Sequence, residues 1–284
     1  MKLIIGFLAV CGCVFGGFLW SGGQLLALWH PAEVLIILGG ATGAFVISNP
    51  PKIIIGVAKG LPALLKGNKY NKKVYLDLLT LMFKLFAKAR KEGLMALEGD
   101  IDDPHQSEIF SQFPKIAANH HLIDFICDYL RLMVGGNMNA FELEALMDLE
   151  LETHHHEAEA PASAVTNMSD GLPGFGIVAA VMGVVITMGF ISEPPAVLGA
   201  KVGAALVGTF LGILFAYGYV GPMAKAMEGQ AEEEGVIFNC AKICIMATLN
   251  GYTPQIAIEF GRKALTSDVR PSFSELEEHI KDQK

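Results

Sequence analysis

The stretch DGLPGFGIVAAVMGVVITMGFI, residues 170–191, decides the fold class of this chain. Its last 21 residues carry no charge, and about 20 apolar residues are enough for a helix to cross the hydrocarbon core of a bilayer. The stretch also contains five glycines and Pro173, which are poor helix formers in water. Helices that pack closely on other helices in lipid tolerate such residues. The stretch therefore predicts a membrane span that packs against other spans.

Three further apolar runs bring the number of predicted spans to four. Of the 284 residues, 52% are hydrophobic and only 18% are charged, which is less charge than in an average soluble domain. The first run resembles a secretory signal, but it is longer than the usual apolar core of about 7–15 residues and no clear cleavage site follows it. We therefore expect it to be retained. The four runs cover residues 3–31, 34–51, 171–192 and 202–224.

Basic residues predict the orientation of these spans. Twelve of the 21 Lys and Arg lie between residues 52 and 170, seven follow the fourth run, one precedes the first, and only Lys201 lies on the opposite side. Because cytoplasmic loops are enriched in Lys and Arg, both termini and the long middle segment are expected in the cytoplasm. The expected segments are spans 1 and 2 in residues 1–51, a cytoplasmic domain in 52–170, spans 3 and 4 in 171–224, and cytoplasmic helices in 225–284.

Helical periodicity continues in both cytoplasmic segments. One apolar stripe precedes Gly93, where its helix is expected to stop, and comprises Leu78, Met82, Leu85 and Ala89. A second helix is expected over about residues 115–134. A third is expected to point five apolar side chains inward: Phe141, Leu143, Leu146, Met147 and Leu151.

The last short helix is expected to open with a capping box made by Ser274 and Glu277. No convincing strand alternation is found along the chain. The predicted fold is therefore all-α: a polytopic membrane protein with four transmembrane helices and a helical cytoplasmic domain.

Small residues recur at four-residue spacing in three of the predicted spans. In lipid there is no hydrophobic attraction between helices, so close approach of their backbones supplies much of the association energy. We therefore predict helix-packing roles for the glycines of the fourth span, which are Gly199, Gly203, Gly208 and Gly212.

None of the predicted spans contains an acid or a base well inside the membrane. Charged groups there usually mark ion pathways, so either the chain conducts no ion or a partner supplies the ionisable group. Thr187 and Thr209 are the notable hydroxyls available to line a polar path, and the alternative is that each bonds to its own helix. Pro173 at the start of span 3 and Pro222 at the end of span 4 are expected at one cytoplasmic level. One interpretation is a hinge between the membrane and cytoplasmic parts, and the other is that each proline only marks the end of a helix, where proline is common.

The chain shows no pattern typical of an enzyme or of a metal site. His154, His155 and His156 are adjacent rather than spaced as in HExxH, and three neighbouring side chains of a helix cannot all face one ion. No arrangement of nucleophile and base and no phosphate-binding loop is found. We therefore expect no enzymatic activity, no bound metal and no cofactor.

Eight segments together resemble the MotA family of flagellar motor stator proteins, part of the wider MotA/TolQ/ExbB group. The match runs nearly end to end, and several of its segments are long and unusual. The segments are PAEVLIILGGATGAFVI, KYNKKVYLDLL, KARKEGLMALEGDID, FELEALMDLELETH, LPGFGIVAAVMGVV, VGTFLGILFAYG, NGYTPQIAIEFGRK and RPSFSELEEHI.

The resemblance implies an assembly in the bacterial inner membrane and a function in motility. Chains of this family form a ring, expected to be a pentamer, around a MotB dimer. Each MotB chain supplies one span with the ion-binding aspartate. The rotor partner would be the switch-complex protein FliG, and no nucleic-acid partner is implied.

The resemblance also assigns roles to charged residues of the cytoplasmic domain. Arg90 and Glu98 match the charged pair that meets oppositely charged groups on the rotor. Glu150 matches a further charged cytoplasmic position. Gly99 departs from the family pattern, which has a basic residue beside Glu98.

The remaining implied roles lie in the spans. Pro173 and Pro222 match prolines that couple ion flow to a change of shape, and Thr209 matches a threonine near the ion path. Ala180 stands where sodium-driven relatives tend to carry a threonine. Because a methyl group offers no ligand to sodium, Ala180 favours H⁺ over Na⁺ as the transported ion.

Two alternative functions stay open at this point. One is a proton-driven energiser of outer-membrane transport, as in the TolQ/ExbB branch, whose members usually have three spans and lack the segment that carries Arg90 and Glu98. The other is a passive scaffold that only positions the span of a partner.

Overall fold

The computed structural model describes residues 2–67, 69–136 and 138–283, and the secondary structure within them is helical throughout. Two segments of π-helix, Leu35–Gly39 and Leu214–Val220, interrupt the α-helices. The α-helices are α1 Lys2–Trp20, α2 Pro31–Val34, α3 Gly40–Ser48, α4 Pro51–Ala63, α5 Lys72–Glu92, α6 Glu98–Asp102, α7 Glu108–Ser111, α8 Pro114–Ala117, α9 His120–Gly135, α10 Ala140–Met188, α11 Pro195–Ile213, α12 Gly221–Leu249, α13 Pro254–Ala264 and α14 Phe273–Asp282.

Within the described residues, four helical segments are long and apolar enough to cross a membrane. They are Lys2–Trp20, Leu25–Ser48, Ala140–Met188 and Pro195–Leu249, the last two extending well beyond the apolar part. The predicted fold class, an all-α protein with four membrane-crossing helices, is therefore confirmed. The bounds of the spans differ from the apolar runs, since span 1 ends at Trp20 and α11 already begins at Pro195.

The structure corrects the position of Pro173. Instead of opening a helix, Pro173 lies inside α10, which begins at Ala140 and also contains Pro161. An interior proline removes one backbone hydrogen bond, and membrane helices tolerate this where neighbouring groups satisfy the freed carbonyl.

The chain divides into two compact units, each built from two separate stretches of sequence. Unit 1 comprises Met1–Gly67 and Glu157–Gln230, and unit 2 comprises Asn68–His156 and Ala231–Lys284. Helices α10 and α12 each contribute residues to both units.

Unit 1 contains the apolar spans. None of the 19 residues of α1 is buried within the chain, which is typical of a helix that faces lipid or another chain. The centre of the unit is formed instead by α3, α10, α11 and the two π-helical segments. Its buried apolar residues there are Ile37, Ala41, Leu172, Ala179, Val207, Leu211 and Ala216.

Unit 2 is organised around α5. The predicted stripe is confirmed, because Leu78, Met82 and Leu85 have no exposed surface and Ala89 is buried. Helix α5 ends before Gly93, as predicted, and Gly93 adopts φ of 92°, a backbone conformation that favours glycine.

Two helix predictions in unit 2 were wrong. The helix expected over residues 115–134 is divided into α8 and α9. In α10, Leu143 and Met147 are buried, but Phe141 is 80% exposed and Leu146 is 38% exposed. The inward stripe follows the four-residue spacing of Leu143, Met147 and the partly buried Leu151, and Phe141 lies outside it in the first turn.

The predicted capping box also lies two residues too far along the chain. Ser272 caps α14, and its partner is Glu275 rather than Glu277. Two overlapping Ser-x-x-Glu patterns occur in this segment, and the tertiary structure selects the first. In that register Glu275 lies 2.7 Å from Lys72 Nζ of α5. Lys72 and the capping hydrogen bonds with Ser272 lower the pKa of Glu275 to about 2.

Candidate functional site

The three spans formed by Leu25–Ser48, α10 and α11 meet in unit 1 at Gly208. A Cβ atom built on Gly208 would lie 3.0 Å from Ala179 Cβ, 3.1 Å from the backbone nitrogen of Ala180 and 3.2 Å from Glu33 Oε2. This contact places Ala180, a predicted ion-path residue, directly beside α11. It also brings the carboxylate of Glu33 beside α11, although the predicted apolar runs themselves contain no acid.

Glu33 is the residue that the sequence analysis missed. The acid separates the first two apolar runs, so the hydropathy pattern predicts that it lies outside both spans. The structure instead includes it in Leu25–Ser48, one of the helical segments that are long and apolar enough to cross a membrane. Pro31 is the sequence signal that indicates this position for Glu33. A proline is favoured in the first turn of a helix, and a helix that begins at Pro31 includes Glu33.

The two threonines of the spans differ in their surroundings. Thr187 is buried, and its hydroxyl donates a hydrogen bond to Gly183 O of the same helix at 2.8 Å. The hydroxyl of Thr187 is thus satisfied by its own helix rather than lining a polar path. Thr209 is half-buried and follows Gly208 directly.

The four glycines predicted to pack helices fall into two pairs. A Cβ on Gly212 would lie 2.8 Å from Leu172 O and 2.9 Å from Gly176 Cα, so α10 and α11 approach each other backbone to backbone here. Gly208 lies at the same interface. By contrast, a Cβ on Gly199 or Gly203 would meet no atom of the described chain within 4 Å. A packing role for this second pair remains a prediction about contacts with another chain.

Pro173 and Pro222 lie next to a hydrogen bond that joins their helices. Pro173 has no N–H for the carbonyl of Ser169, four residues earlier. The buried hydroxyl of Ser169 donates to Ala216 O at 3.0 Å, within the π-helical segment Leu214–Val220 that precedes Pro222. The helical turns disturbed by the two prolines are therefore linked directly.

Removing this link is expected to loosen the π-helical segment. In a Ser169→Ala variant, Ala216 O keeps the N–H of Gly221 but loses one buried hydrogen bond, for an expected cost of about 1 kcal/mol. Amide hydrogen exchange of the full chain in detergent should accelerate over residues 214–220. Thr166→Ala is the matched control, since the hydroxyl of Thr166 donates to Ala162 O within its own helix and forms no link to another helix among the described residues. Unchanged exchange over residues 214–220 in Ser169→Ala would contradict the link.

Arg90 and Glu98 are exposed residues of unit 2. Arg90 lies in the last turn of α5, and Glu98 opens α6. On either side of this segment in the sequence, Lys88 Nζ lies 2.6 Å from Asp100 Oδ2, and Asp100 also accepts a hydrogen bond from the hydroxyl of Ser107 at 2.6 Å. These contacts of Asp100 hold the segment that carries Arg90 and Glu98 in place. The contact of these two residues with the rotor remains a prediction.

Gly99 and Glu150 can be placed as well. Gly99 is exposed, lacks the left-handed backbone that favours glycine, and has open space where a side chain would lie. The fold therefore does not require glycine there. Glu150 accepts a hydrogen bond from the hydroxyl of Tyr129 at 2.6 Å, and burial together with this bond raises the pKa of Tyr129. Glu150 thus has a structural partner in addition to its predicted role.

The three consecutive histidines point to different neighbours. The ring of His154 lies 4.4 Å from that of Phe238, whereas His156 Nε2 lies 3.9 Å from Glu152 Oε1. Within the described ranges, no group of three or more His, Cys, Asp or Glu is arranged to hold a metal ion.

Comparison with known proteins places this arrangement in a family. Residues 4–93 match the N-terminal region of motility protein A, and residues 117–239 match the MotA/TolQ/ExbB proton channel family. Motility protein A of Escherichia coli strain K12 is 51% identical over 281 residues, covering 99% of this chain and 95% of the relative. The chemotaxis protein LafT of Vibrio parahaemolyticus is 38% identical, with 100% of both chains covered.

A solved structure supports the same conclusion. A chain of the flagellar MotAB stator complex from Bacillus subtilis matches with a TM-score of 0.73 and 26% identity, covering 96% of this chain and 97% of that one. Sequence, fold and the four apolar spans agree. The chain is a multi-pass membrane protein that belongs to the motility protein A family, within the MotA/TolQ/ExbB proton channel group.

Proposed function

We propose that this chain is a stator subunit of a bacterial flagellar motor, which uses ion flow to turn the rotor. The observation that carries the proposal is the joined pair of proline-disturbed turns in the spans of a chain that is 51% identical to an Escherichia coli motility protein A. The proposal assigns no enzymatic chemistry to the chain. Its task is to conduct an ion and to change shape.

The proposed assembly is a ring of these chains, five by analogy with the family, around two MotB chains in the inner membrane. The Bacillus subtilis relative was solved as a MotAB complex, which supports MotB as the partner. Both termini and unit 2 would lie in the cytoplasm, as the distribution of Lys and Arg favours. There, exposed Arg90 and Glu98 would meet FliG through ion pairs weak enough to break at every step.

We propose H⁺ as the transported ion. The methyl group of Ala180, beside Gly208, offers no oxygen to a sodium ion. A proton entering from outside would neutralise the aspartate of MotB and would leave on the cytoplasmic side. The turns at Pro173 and Pro222 would change shape as this aspartate loses and regains its charge, and α10 and α12 would carry the change to residues of unit 2.

The free energy available for each proton limits the size of this change. A membrane potential of about 150 mV supplies roughly 3.5 kcal/mol per charge. Reversing a two-state population from 1:99 to 99:1 requires about 5.5 kcal/mol. A full reversal therefore needs a contribution from the pH gradient or from more than one proton.

Rotation of tethered cells tests the proposal. Flagellated but paralysed cells that lack stators would receive this chain together with its MotB partner. Rotation is expected in sodium-free buffer and should stop when the proton gradient is collapsed. Rotation that requires sodium would refute the choice of ion. Absence of rotation in any buffer, with the complex assembled in the membrane, would refute the stator function and leave the energiser of outer-membrane transport or the passive scaffold.

A further inference from the structure

Glu33 is a carboxylate placed among apolar spans. Apart from His30 it is the sole residue with an acidic or basic side chain in the segment Leu25–Ser48. An ionisable residue in a membrane span is costly and most often belongs to an ion pathway. The mechanism proposed above makes no use of it.

One oxygen of this carboxylate lies in surroundings that suit a neutral group. Glu33 Oε2 is buried and accepts no hydrogen bond from the described part of the chain. It lies beside Gly208, at the point where Ala179 and Ala180 of α10 also approach. Glu33 as a whole is half-buried, and burial of one carboxylate oxygen without a hydrogen-bond partner disfavours the charged form relative to the protonated acid.

The charged groups near Glu33 are few. His30, three residues earlier, is near enough to act on it electrostatically, and the ring of His30 is hydrogen-bonded to Ala27 O at 3.2 Å. On α11 the charged residue is Lys201, whose Nζ lies 4.6 Å from the ring centre of Phe190. The apolar part of α10, residues 171–188, carries no charge. Among the described residues, no Lys or Arg forms an ion pair with this carboxylate.

The position of Glu33 relates it to the ion path. In the orientation that the basic residues predict, α2 follows the outer loop between spans 1 and 2, so Glu33 lies toward the outer surface. Gly208, which it touches, precedes Thr209, and Ala180 lies at the same contact. Two residues assigned to the path from the family resemblance are thus next to Gly208, the residue beside the carboxylate: Thr209 follows it in the chain, and the backbone nitrogen of Ala180 lies close to it.

We propose that Glu33 is a proton-binding site contributed by this chain, at the outer end of the ion path. A proton from the outer side forms an O–H bond with the carboxylate, and the bond breaks again as the proton moves inward to the aspartate of the partner. The inference rests on the proposed stator function. It predicts that Glu33 gathers protons when they are scarce outside.

Rotation measured against external pH tests this site. Glu33→Gln keeps the size of the side chain and removes its ability to titrate. The variant is expected to rotate as fast as the wild type at acidic external pH and several-fold more slowly at alkaline external pH. Glu33→Asp should restore much of the lost speed. Glu193→Gln is the matched control, because Glu193 is an exposed acid in the other outer loop, and it should follow the wild-type profile.

An infrared measurement separates failure of this inference from failure of the stator function. The full chain with its partner, reconstituted in lipid, would be titrated while the carbonyl band of protonated carboxyl groups is recorded. A band should be lost in Glu33→Gln, shifted in Glu33→Asp and kept in Glu193→Gln. A spectrum unchanged by Glu33→Gln, or a wild-type pH profile of rotation in that variant, would overturn the proposal. The spectrum is informative even if no variant supports rotation, and Glu33→Asp serves if Glu33→Gln does not assemble.

Discussion

A chain in which valine replaces Gly212 is expected to reach the membrane but not to pack α11 against α10. The first added carbon would lie 2.8 Å from Leu172 O and 2.9 Å from Gly176 Cα. Both are backbone atoms, which cannot rotate away as a side chain can. Overpacking a well-ordered core usually costs about 1–3 kcal/mol, and we expect this variant at or above the upper end. The thermal midpoint of the purified chain should fall sharply, and rotation should be lost.

Gly203→Val is the matched control for this prediction. It places the same side chain on the same helix, where no atom of the described chain lies within 4 Å. Its effect on the stability of the isolated chain should stay within about 0.5 kcal/mol. If Gly203→Val lowers stability only in the assembled ring, Gly203 contacts another chain. A Gly212→Val chain as stable as the wild type would show that the close approach of α10 and α11 is not required.

Replacing Pro173 with alanine is expected to abolish torque while leaving the complex assembled. Alanine supplies the missing N–H to the carbonyl of Ser169 and removes a residue that costs about 3 kcal/mol inside a helix. Such a change favours one regular helical conformation by roughly a hundredfold. The helix would then no longer switch between two conformations of similar free energy. Rotation of tethered cells measures the loss of torque, and co-purification with MotB from membranes measures whether the complex still assembles.

Pro161 provides the control within the same helix. It is also an interior proline of α10, but it lies outside the apolar part and is not next to the Ser169–Ala216 hydrogen bond. Pro161→Ala should therefore rotate nearly as well as the wild type. If Pro173→Ala rotates normally, the hinge interpretation is wrong. If both variants lose rotation equally, the regularity of α10 as a whole matters rather than the turn at Pro173.

Features that depend on neighbouring residues in the chain were predictable from the sequence. The spans follow from uninterrupted apolar length, and the buried face of α5 follows from the spacing of Leu78, Met82 and Leu85. The resemblance to the MotA family required only continuous motifs. The end of α5 at Gly93 was also predictable, because a glycine after the last apolar turn is a local signal.

Local patterns that occur more than once were decided by the tertiary structure. Gly199 with Gly203 and Gly208 with Gly212 have the same spacing, but only the second pair meets α10, because packing covers one part of α11 and leaves the other open. Two Ser-x-x-Glu patterns in the sequence could cap α14. The structure uses Ser272 with Glu275, whose carboxylate reaches Lys72. In each case the sequence defined the possibilities, and contacts from distant parts of the chain selected one.

The charged and polar residues of the spans show most clearly which features follow from the sequence and which depend on the tertiary structure. The sequence by itself determined that this chain is a four-span helical membrane protein of the motility protein A family, because hydropathy, periodicity and motifs are properties of continuous segments. Only the tertiary structure showed that Glu33 lies against Gly208 and that Ser169 bonds to Ala216. These contacts join residues far apart in the chain, and their existence depends on which helix faces are buried against each other.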